Sequence, residues 1–269
     1  MSKKVLELDK IDFEKTIEKI TRFILRIVKK AKANGVVIGL SGGVDSSVVA
    51  KLCVRGLGKD RVLGIIMPTE FTPKRDIDDA LNIARSLRIQ TKIVNIKSIS
   101  GAFFKALRID EDNLKQRIPM ANIRARIRMI VLYYYANLKN YLVVGTSDRS
   151  EILMGYFTKY GDGGADFLPI AHLYKTQVRK LAEYLGIASR IAHKPSSPQL
   201  YPGHKVTDEL PIDYEELDPV LVGLFDRKLS KSQVSLLTGV GIEVVDEILL
   251  RFENTKHKRD YPPTIKRSS

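Results

Sequence analysis

Gly39-Leu40-Ser41-Gly42-Gly43-Val44-Asp45-Ser46-Ser47 is the stretch on which the reading of this 269-residue chain turns. The apolar run Val36-Val37-Ile38 before it reads as a short buried strand. Val48 to Val54 after it reads as a helix that closes at Gly56 or Gly58. A strand, a turn of small residues and a helix start together make an anion site. Backbone N–H groups without an intrahelical acceptor point outward there, and the helix dipole favours negative charge. Gly42 and Gly43 let a phosphate approach the backbone, and Ser41, Ser46 and Ser47 add hydroxyl donors. A Walker loop would need Gly-x-x-x-x-Gly-Lys followed by Ser or Thr, and no lysine stands at that place, so this is a phosphate loop of another kind.

Asp45 sits inside this cradle, where it would repel phosphate oxygens unless a cation lay between them. Mg²⁺ is held by one or two carboxylates together with substrate phosphates, which makes Asp45 a candidate metal ligand. The competing reading is an N-cap, since Asp and Ser are favoured at helix starts for local hydrogen-bonding reasons alone.

Working outward, Asp9 to Ala33 places Phe13, Ile17, Ile20, Ile24, Ile27 and Ala31 at three- and four-residue steps, an amphipathic helix. Arg61 to Met67 reads as a second strand, Pro68 to Pro73 as a loop, Arg75 to Leu87 as a helix and Thr91 to Ile96 as a third strand. Ser98 to Arg108 and Asn122 to Asn137 are expected helices, and Tyr141 to Thr146 a fourth strand. The alternation, with near-continuous apolar strands, argues an α/β fold: a doubly wound, mostly parallel sheet covered by helices on both faces. Ligands on such sheets bind at the carboxyl ends of the strands, where Ser41 lies. The fourth strand runs into Ser147-Asp148-Arg149-Ser150-Glu151, a second strand-to-helix turn of phosphate-site type.

Arg124, Arg126 and Arg128 occupy every second position of their helix, so they cannot all serve one ligand. Arg126 is expected to share a face with Met129 to Tyr133, and the other two are expected to be solvated. Gly155 to Pro169 combines three glycines in four positions with flanking aromatics, which points to a ligand lid or clamp, or else to a surface turn with aromatic anchors. Tyr174 to Leu185 reads as a helix capped by Gly186. His193 to Pro198 ends regular structure, and the Pro/Gly-rich stretch up to Pro211 is expected to be mobile. The last third reads as a helical C-terminal extension, with helices over Asp218 to Leu229, Lys231 to Leu237 and Ile242 to Phe252. The last two resemble a helix-turn-helix. The would-be recognition helix begins Glu243-Val244-Val245-Asp246-Glu247, and phosphate repulsion makes it a poor reader of DNA.

The formal net charge of +14 attracts polyanions, nucleic acid or phosphorylated small molecules alike. The single cysteine, Cys53, excludes a disulfide framework, a thiolate metal cluster and a Cys-x-x-Cys pair within one chain. The first residues lack an apolar signal core and no apolar run is long enough for a bilayer, so a cytoplasmic protein without a membrane partner is expected.

Ser41-Gly42-Gly43-Val44-Asp45-Ser46 resembles the signature of the ATP pyrophosphatases, the PP-loop enzymes that split ATP into AMP and pyrophosphate while activating a carboxyl or carbonyl oxygen. In order along the chain stand also Asn122 to Met129, Gly145-Thr146, Glu151, Thr158-Lys-Tyr-Gly-Asp-Gly-Gly-Ala-Asp166 and His257-Lys258-Arg259. With these the chain is similar over nearly its whole length to the ammonia-dependent NAD⁺ synthetases. The segment from Thr158 to Asp166 is much more specific than the serine-glycine loop.

The resemblance implies one synthetase domain over 1–269, with an adenine nucleotide alpha hydrolase-like core at 35–190 and a helical part at 212–256. It implies two steps. The nicotinate carboxylate of deamido-NAD⁺ attacks the α-phosphorus of ATP to give an acyl-adenylate and pyrophosphate, and ammonia then gives NAD⁺ and AMP. By this resemblance Gly39, Leu40, Ser41, Gly42, Gly43, Val44, Asp45 and Ser46 bind the ATP phosphates. Thr146 and Lys175 are ATP contacts, Asp45 and Lys175 the catalytic pair, and Asp45 and Glu151 ligands of Mg²⁺. Arg126, Lys159, Asp166, His257 and Lys258 contact deamido-NAD⁺. Read from the sequence alone, His257 and Lys258 form a frayed basic tail. Where the family has Pro-Thr-Ala-Asp-Leu this chain has Pro195-Ser196-Ser197-Pro198, and either Ser196 or Ser197 would take the ATP contact.

The family uses homodimers with sites near the subunit interface, and the helix bearing Tyr133, Tyr134 and Tyr135 could supply that face or belong to the core. Cys53 lies among apolar neighbours, where a buried inert thiol is the expected reading. No residues remain for an amidase domain, so free ammonia is the expected nitrogen donor. The competing readings are a PP-loop enzyme acting on RNA, motivated by the charge, and a nucleic-acid-binding regulator using the C-terminal helices.

Overall fold

The structure is a computed structural model that describes residue 8 and residues 10–195 and 209–265. Ser196, Ser197 and most of the Pro/Gly-rich stretch expected to be mobile therefore lie outside the described residues.

Helix α1, Phe13–Lys30, begins at Asp12, whose side chain accepts from the Lys15 N–H, and buries Ile17, Ile20, Ile24 and Val28. The chain then alternates strand and helix: β1 Gly35–Gly39, α2 Val44–Leu57, β2 Val62–Ile66, α3 Lys74–Leu87, β3 Gln90–Ile93, α4 Lys97–Ala106, α5 Arg117–Lys139 and β4 Tyr141–Val143. The strands form one parallel sheet in the order β3-β2-β1-β4, with Val36 opposite Val62 on one side and Leu142 on the other. Val36, Val37 and Ile38 are fully buried because both sheet faces are covered. The helices α1 and α2 pack on one face; on the other, Ile127 of α5 joins Val37, Leu63 and Val143.

The expected parallel doubly wound sheet is therefore present, with two differences. The edge strand β3 is not covered on both faces, and Ile93 is 56% exposed. Helix α5 starts five residues earlier than expected because Pro119 falls in its first turn, where its missing N–H has no intrahelical partner to lose.

Beyond the sheet come α6 Arg149–Met154, α7 Lys175–Tyr184, α8 Ser189–Ala192, α9 Tyr214–Leu221, α10 Lys231–Thr238, α11 Ile242–Asn254 and α12 Lys256–Arg259. The helix expected from Asp218 begins at Tyr214 and passes into a π-helical turn, Val222–Asp226. The C-terminal helices close their own apolar cluster around Leu217, Val220, Val245 and Ile248, which reaches Met154 of α6 and Tyr174 just before α7. No described helix is long and apolar enough to cross a membrane.

Candidate active site

At the carboxyl end of β1 the chain turns through Leu40 to Gly43 and enters α2. The N-cap is Gly43, with no side-chain cap hydrogen bond, so the first-turn N–H groups are left to face a ligand. Asp45 is consequently not the cap. Of the three serines expected to donate to phosphate, only Ser41 is exposed. The hydroxyls of Ser46 and Ser47 are turned inward and donate to the Gly43 carbonyl at 3.2 and 2.7 Å, holding the turn's shape. Gly42 has φ +75°, and a Cβ there would lie 2.3 Å from the Asp76 carbonyl oxygen, so α3 can approach the turn only because this residue is glycine.

At the end of β4 the second turn enters α6 differently. Asp148 accepts the Glu151 N–H at 2.8 Å and Glu151 accepts the Asp148 N–H at 3.3 Å, a reciprocal capping box. The remaining carboxylate oxygens face Lys175, the first residue of α7. Its Nζ lies 2.8 Å from Asp45 Oδ2, 2.9 Å from Asp148 Oδ2 and 2.8 Å from Glu151 Oε1. Lys175 and Asp148 are both fully buried. Tyr214 of α9 lies with its ring 5.3 Å from the ammonium.

Three carboxylates around one ammonium leave an excess of two negative charges. Burial raises the Asp148 carboxyl to about 6 against the opposing pull of Lys175. Burial likewise pushes Glu151 well above the usual carboxylate range. Burial alone would lower Lys175, but Asp148, Asp45 and Glu151 outweigh it and hold the ammonium well above its ordinary value. Asp45 Oδ1 is buried without a hydrogen-bond partner. Among the described residues no group of three or more His, Cys, Asp or Glu is placed to hold a metal. An orphaned carboxylate oxygen without a protein cage fits a Mg²⁺ that relies on substrate phosphates for much of its shell.

Lys175 is itself supported from α9. Asp218 accepts from Ser150 Oγ and from the N–H and hydroxyl of Thr176 at 2.8 and 2.7 Å, and Ser150 Oγ accepts the Lys175 N–H at 3.0 Å.

Asp45, Glu151 and Lys175 open onto a cavity of about 370 Å³, within the range of nucleotide-sized pockets. Of the expected residues Gly39, Leu40, Ser41, Gly43, Val44, Asp45, Thr146, Glu151, Lys175 and Lys258 line it; Gly42, Ser46, Arg126, Lys159, Asp166 and His257 do not. Its far wall is the glycine loop. Gly161 packs where a Cβ would lie 3.0 Å from Ala125 of α5, and Gly163 where one would lie 2.6 Å from the Phe157 ring, so the loop is a close-packed wall built on α5. Lys258 Nζ donates to the Gly155 and Phe157 carbonyls at 2.7 and 2.9 Å, which makes the basic ending an ordered helical turn against that wall.

Arg126, Lys159 and His257 meet on the outside of the same loop. Arg126 donates to the Lys159 carbonyl through Nε and Nη2, both at 3.3 Å, and the Lys159 ammonium donates to the His257 carbonyl. Asp166 accepts from the Val143 N–H at 2.7 Å and from the Tyr133 hydroxyl at 3.1 Å. The expectation for the neighbouring arginines is reversed. Arg124 is buried between Phe71 and Phe104 and paired with Glu70, Arg128 lines the cavity and donates to the Met67 carbonyl, and Arg126 is the exposed one.

The sequence reading missed Asp148 and Asp218 as partners of the Lys175 site. The Asp148-x-x-Glu151 spacing of a capping box was the available signal for the first; nothing local marks the second.

The model of the NAD synthase family matches residues 16–262. An NH₃-dependent NAD⁺ synthetase of Staphylothermus marinus is 48% identical over 96% of this chain and 94% of its own length. Among solved structures, the NH₃-dependent NAD synthetase of Campylobacter jejuni superposes with a TM-score of 0.79 at 35% identity, covering 96% of this chain and all of that one. The NMN synthetase of Francisella tularensis superposes with a TM-score of 0.83 at 31% identity, covering 95% of this chain and 99% of that one.

Proposed function

The chain belongs to the NAD synthase family, and from that membership we propose how its site amidates deamido-NAD⁺ with ammonia and ATP. The observation that carries the reading is the convergence of Asp45 and Glu151 on Lys175, at the mouths of two strand-to-helix turns on neighbouring parallel strands.

Within the Gly39 to Ser46 turn, the N–H groups at the start of α2 and the Ser41 hydroxyl hold the ATP phosphates, and Thr146 contacts the nucleotide from the second turn. Asp45 and Glu151 would hold Mg²⁺, which when bound neutralises phosphate charge. Lys175 places a fixed positive charge beside the phosphates, where it stabilises the departing pyrophosphate. Positioning two anions together in a pre-organised electrostatic site supplies most of the acceleration, and no nucleophilic side chain is required. The nicotinate carboxylate bonds to the α-phosphorus as pyrophosphate leaves, and ammonia then displaces AMP from the acyl carbon.

Lys258 in the cavity and the Arg126–Lys159–His257 cluster outside the glycine loop contact deamido-NAD⁺, with Asp166 at the end of β4. Ser196 or Ser197 completes the ATP contacts. The outer cluster belongs to a site finished by a second subunit. Arg126 begins a stripe on α5 that continues at Ile130, Tyr134 and Leu138, which are 55%, 61% and 67% exposed. A four-residue spacing keeps them on one helix face, and this is the homodimer surface. Sedimentation equilibrium should give a dimer for the wild type and a monomer for Tyr134→Glu; a wild-type monomer would remove this reading.

The activity is tested by product analysis with ATP, Mg²⁺, ammonium and deamido-NAD⁺. AMP and NAD⁺ should appear together, and AMP release indifferent to deamido-NAD⁺ would overturn the assignment. The likeness to an NMN synthetase makes nicotinate mononucleotide the competing acceptor, and a higher kcat/KM for it would shift the substrate assignment. Transfer RNA in place of the dinucleotide should release no AMP. The thiol of Cys53 is buried and pushed up to about 12 by burial, so glutamine should not replace ammonium in the isolated chain. A cytoplasmic location is part of the same proposal.

A further inference from the structure

Beside the first phosphate turn, on the stretch of cavity wall that Asp76 and Lys194 help to line, lies a charge cluster that the reaction has not used. Lys194 Nζ donates to the Gly42 carbonyl at 2.8 Å, to Asp76 Oδ1 at 2.7 Å and to Asp79 Oδ2 at 2.7 Å. The side chains of Asp76 and Asp79 are 8% and 2% exposed and that of Lys194 16%. Arg190 donates to Asp79 Oδ1 through Nε at 3.1 Å and Nη2 at 2.9 Å. Lys194 thus bridges two buried carboxylates and the turn's own carbonyl. Burial would raise the Asp79 carboxyl, but Lys194 and Arg190 outweigh it and hold it below its ordinary value.

The position of this cluster gives it a task. Helix α3 brings two buried carboxylates against a turn whose role is to attract phosphates, and at short range they would oppose it. The turn also carries a carbonyl at Gly42; the N–H of the same peptide, that of Gly43, donates to Ser41 Oγ at 3.2 Å, and Lys194 holds the oxygen end. Without the tie at the oxygen, that carbonyl could tilt toward a bound anion and repel it. Lys194 meets both requirements with one ammonium: it binds the carbonyl and cancels carboxylate charge.

We infer that Lys194 is a positioning residue for the ATP-phosphate turn, fixing the Gly42 peptide and neutralising the α3 carboxylates so that the turn presents only donors. The inference rests on the reading of Gly39 to Ser46 as the ATP-phosphate site.

The test compares wild type, Lys194→Met, Lys194→Arg and Lys194→Met combined with Asp76→Asn. Each substrate is varied separately, and thermal unfolding is recorded for every variant. Lys194→Met should raise the KM for ATP about tenfold, the scale of one lost charge-assisted hydrogen bond. The KM values for deamido-NAD⁺ and ammonium should change less than about twofold. Lys194→Arg should recover part of the loss, and adding Asp76→Asn should lower the KM for ATP again by removing one carboxylate charge from the wall beside the turn. An unchanged KM for ATP in Lys194→Met, with only a lower unfolding temperature, would overturn the inference. So would a raised KM that Asp76→Asn does not relieve, which would make Lys194 a direct phosphate contact. If Lys194→Met does not fold, the double variant set against Asp76→Asn alone carries the same comparison. A wild type that does not use ATP would refute the parent reading instead.

Discussion

The two strand-to-helix turns of this site leave neighbouring parallel strands at the same edge of the sheet, yet they are built on opposite principles. The turn after β1 is glycine-rich and its helix is uncapped by any side chain. The turn after β4 carries Asp148 and Glu151 in a reciprocal capping box, so its own carboxylates satisfy its backbone N–H groups. The first keeps donors for an anion, and the second turns its remaining oxygens toward a cation, the Lys175 ammonium. The contrast teaches that a strand–turn–helix unit has no fixed electrostatic sign; the side chains at its first helical turn set it. Asp45 reaches from the first turn to the same Lys175 ammonium that the second faces, and it joins them into one site.

Lys175→Met is the most damaging change. It leaves Asp45, Asp148 and Glu151 facing one another without the ammonium, and removing one partner of a buried ion cluster costs about 3–5 kcal/mol. The urea unfolding midpoint should fall accordingly and AMP formation should cease. A stability close to wild type would show that the second turn does not depend on its cation. Asp45→Asn should separate the turns without unfolding them. kcat/KM for Mg·ATP should fall by roughly two orders of magnitude, with the unfolding midpoint nearly unmoved. Unchanged turnover at limiting Mg²⁺ would refute the metal role of Asp45.

Ser41→Ala should raise the KM for ATP about two- to fivefold and leave stability alone, as for loss of one exposed donor. Asp148→Asn keeps a good cap and leaves Asp45 and Glu151 to balance the Lys175 ammonium, so the loss of stability at neutral pH should be much smaller than for Lys175→Met. Its signature is in the pH dependence. Burial raises the folded-state Asp148 carboxyl to about 6, above its ordinary value. The folded chain therefore binds a proton as pH falls from about 7 toward 5, and it gains stability there relative to the unfolded chain. Measured without Mg²⁺, the variant should lack that share of the gain; identical slopes would place the proton elsewhere.

The frame of this site was legible because its signals are local. Val36 to Ile38, the small-residue turn and the helix after it declare a strand, an anion-binding bend and a helix start within one short stretch. The resemblance then picked out Glu151 and Lys175, and the structure brings both to Asp45. What was not legible depends on distant partners. Lys194 reads as any lysine near a helix end until α3 places Asp76 and Asp79 beside it. Arg124 and Arg128 occupy spacings typical of a solvated face, yet Phe71, Phe104 and the Met67 carbonyl give them buried partners that no periodicity foretells. The exposed side of β3 was missed for the converse reason, since Thr91 to Ile96 is apolar enough to pass for a covered strand and only its place at the sheet edge uncovers it.

Tyr214 and Asp218 stand on a helix of the C-terminal part, yet one lies over the Lys175 ammonium and the other ties Ser150 to Thr176. The helices after residue 209 are thus no appendage that recombination can exchange at will. A chimera joined between residues 195 and 209 would inherit its buried ammonium from one parent and that ammonium's aromatic roof from the other. Divergence along this lineage has to change both sides of that seam together or leave both untouched.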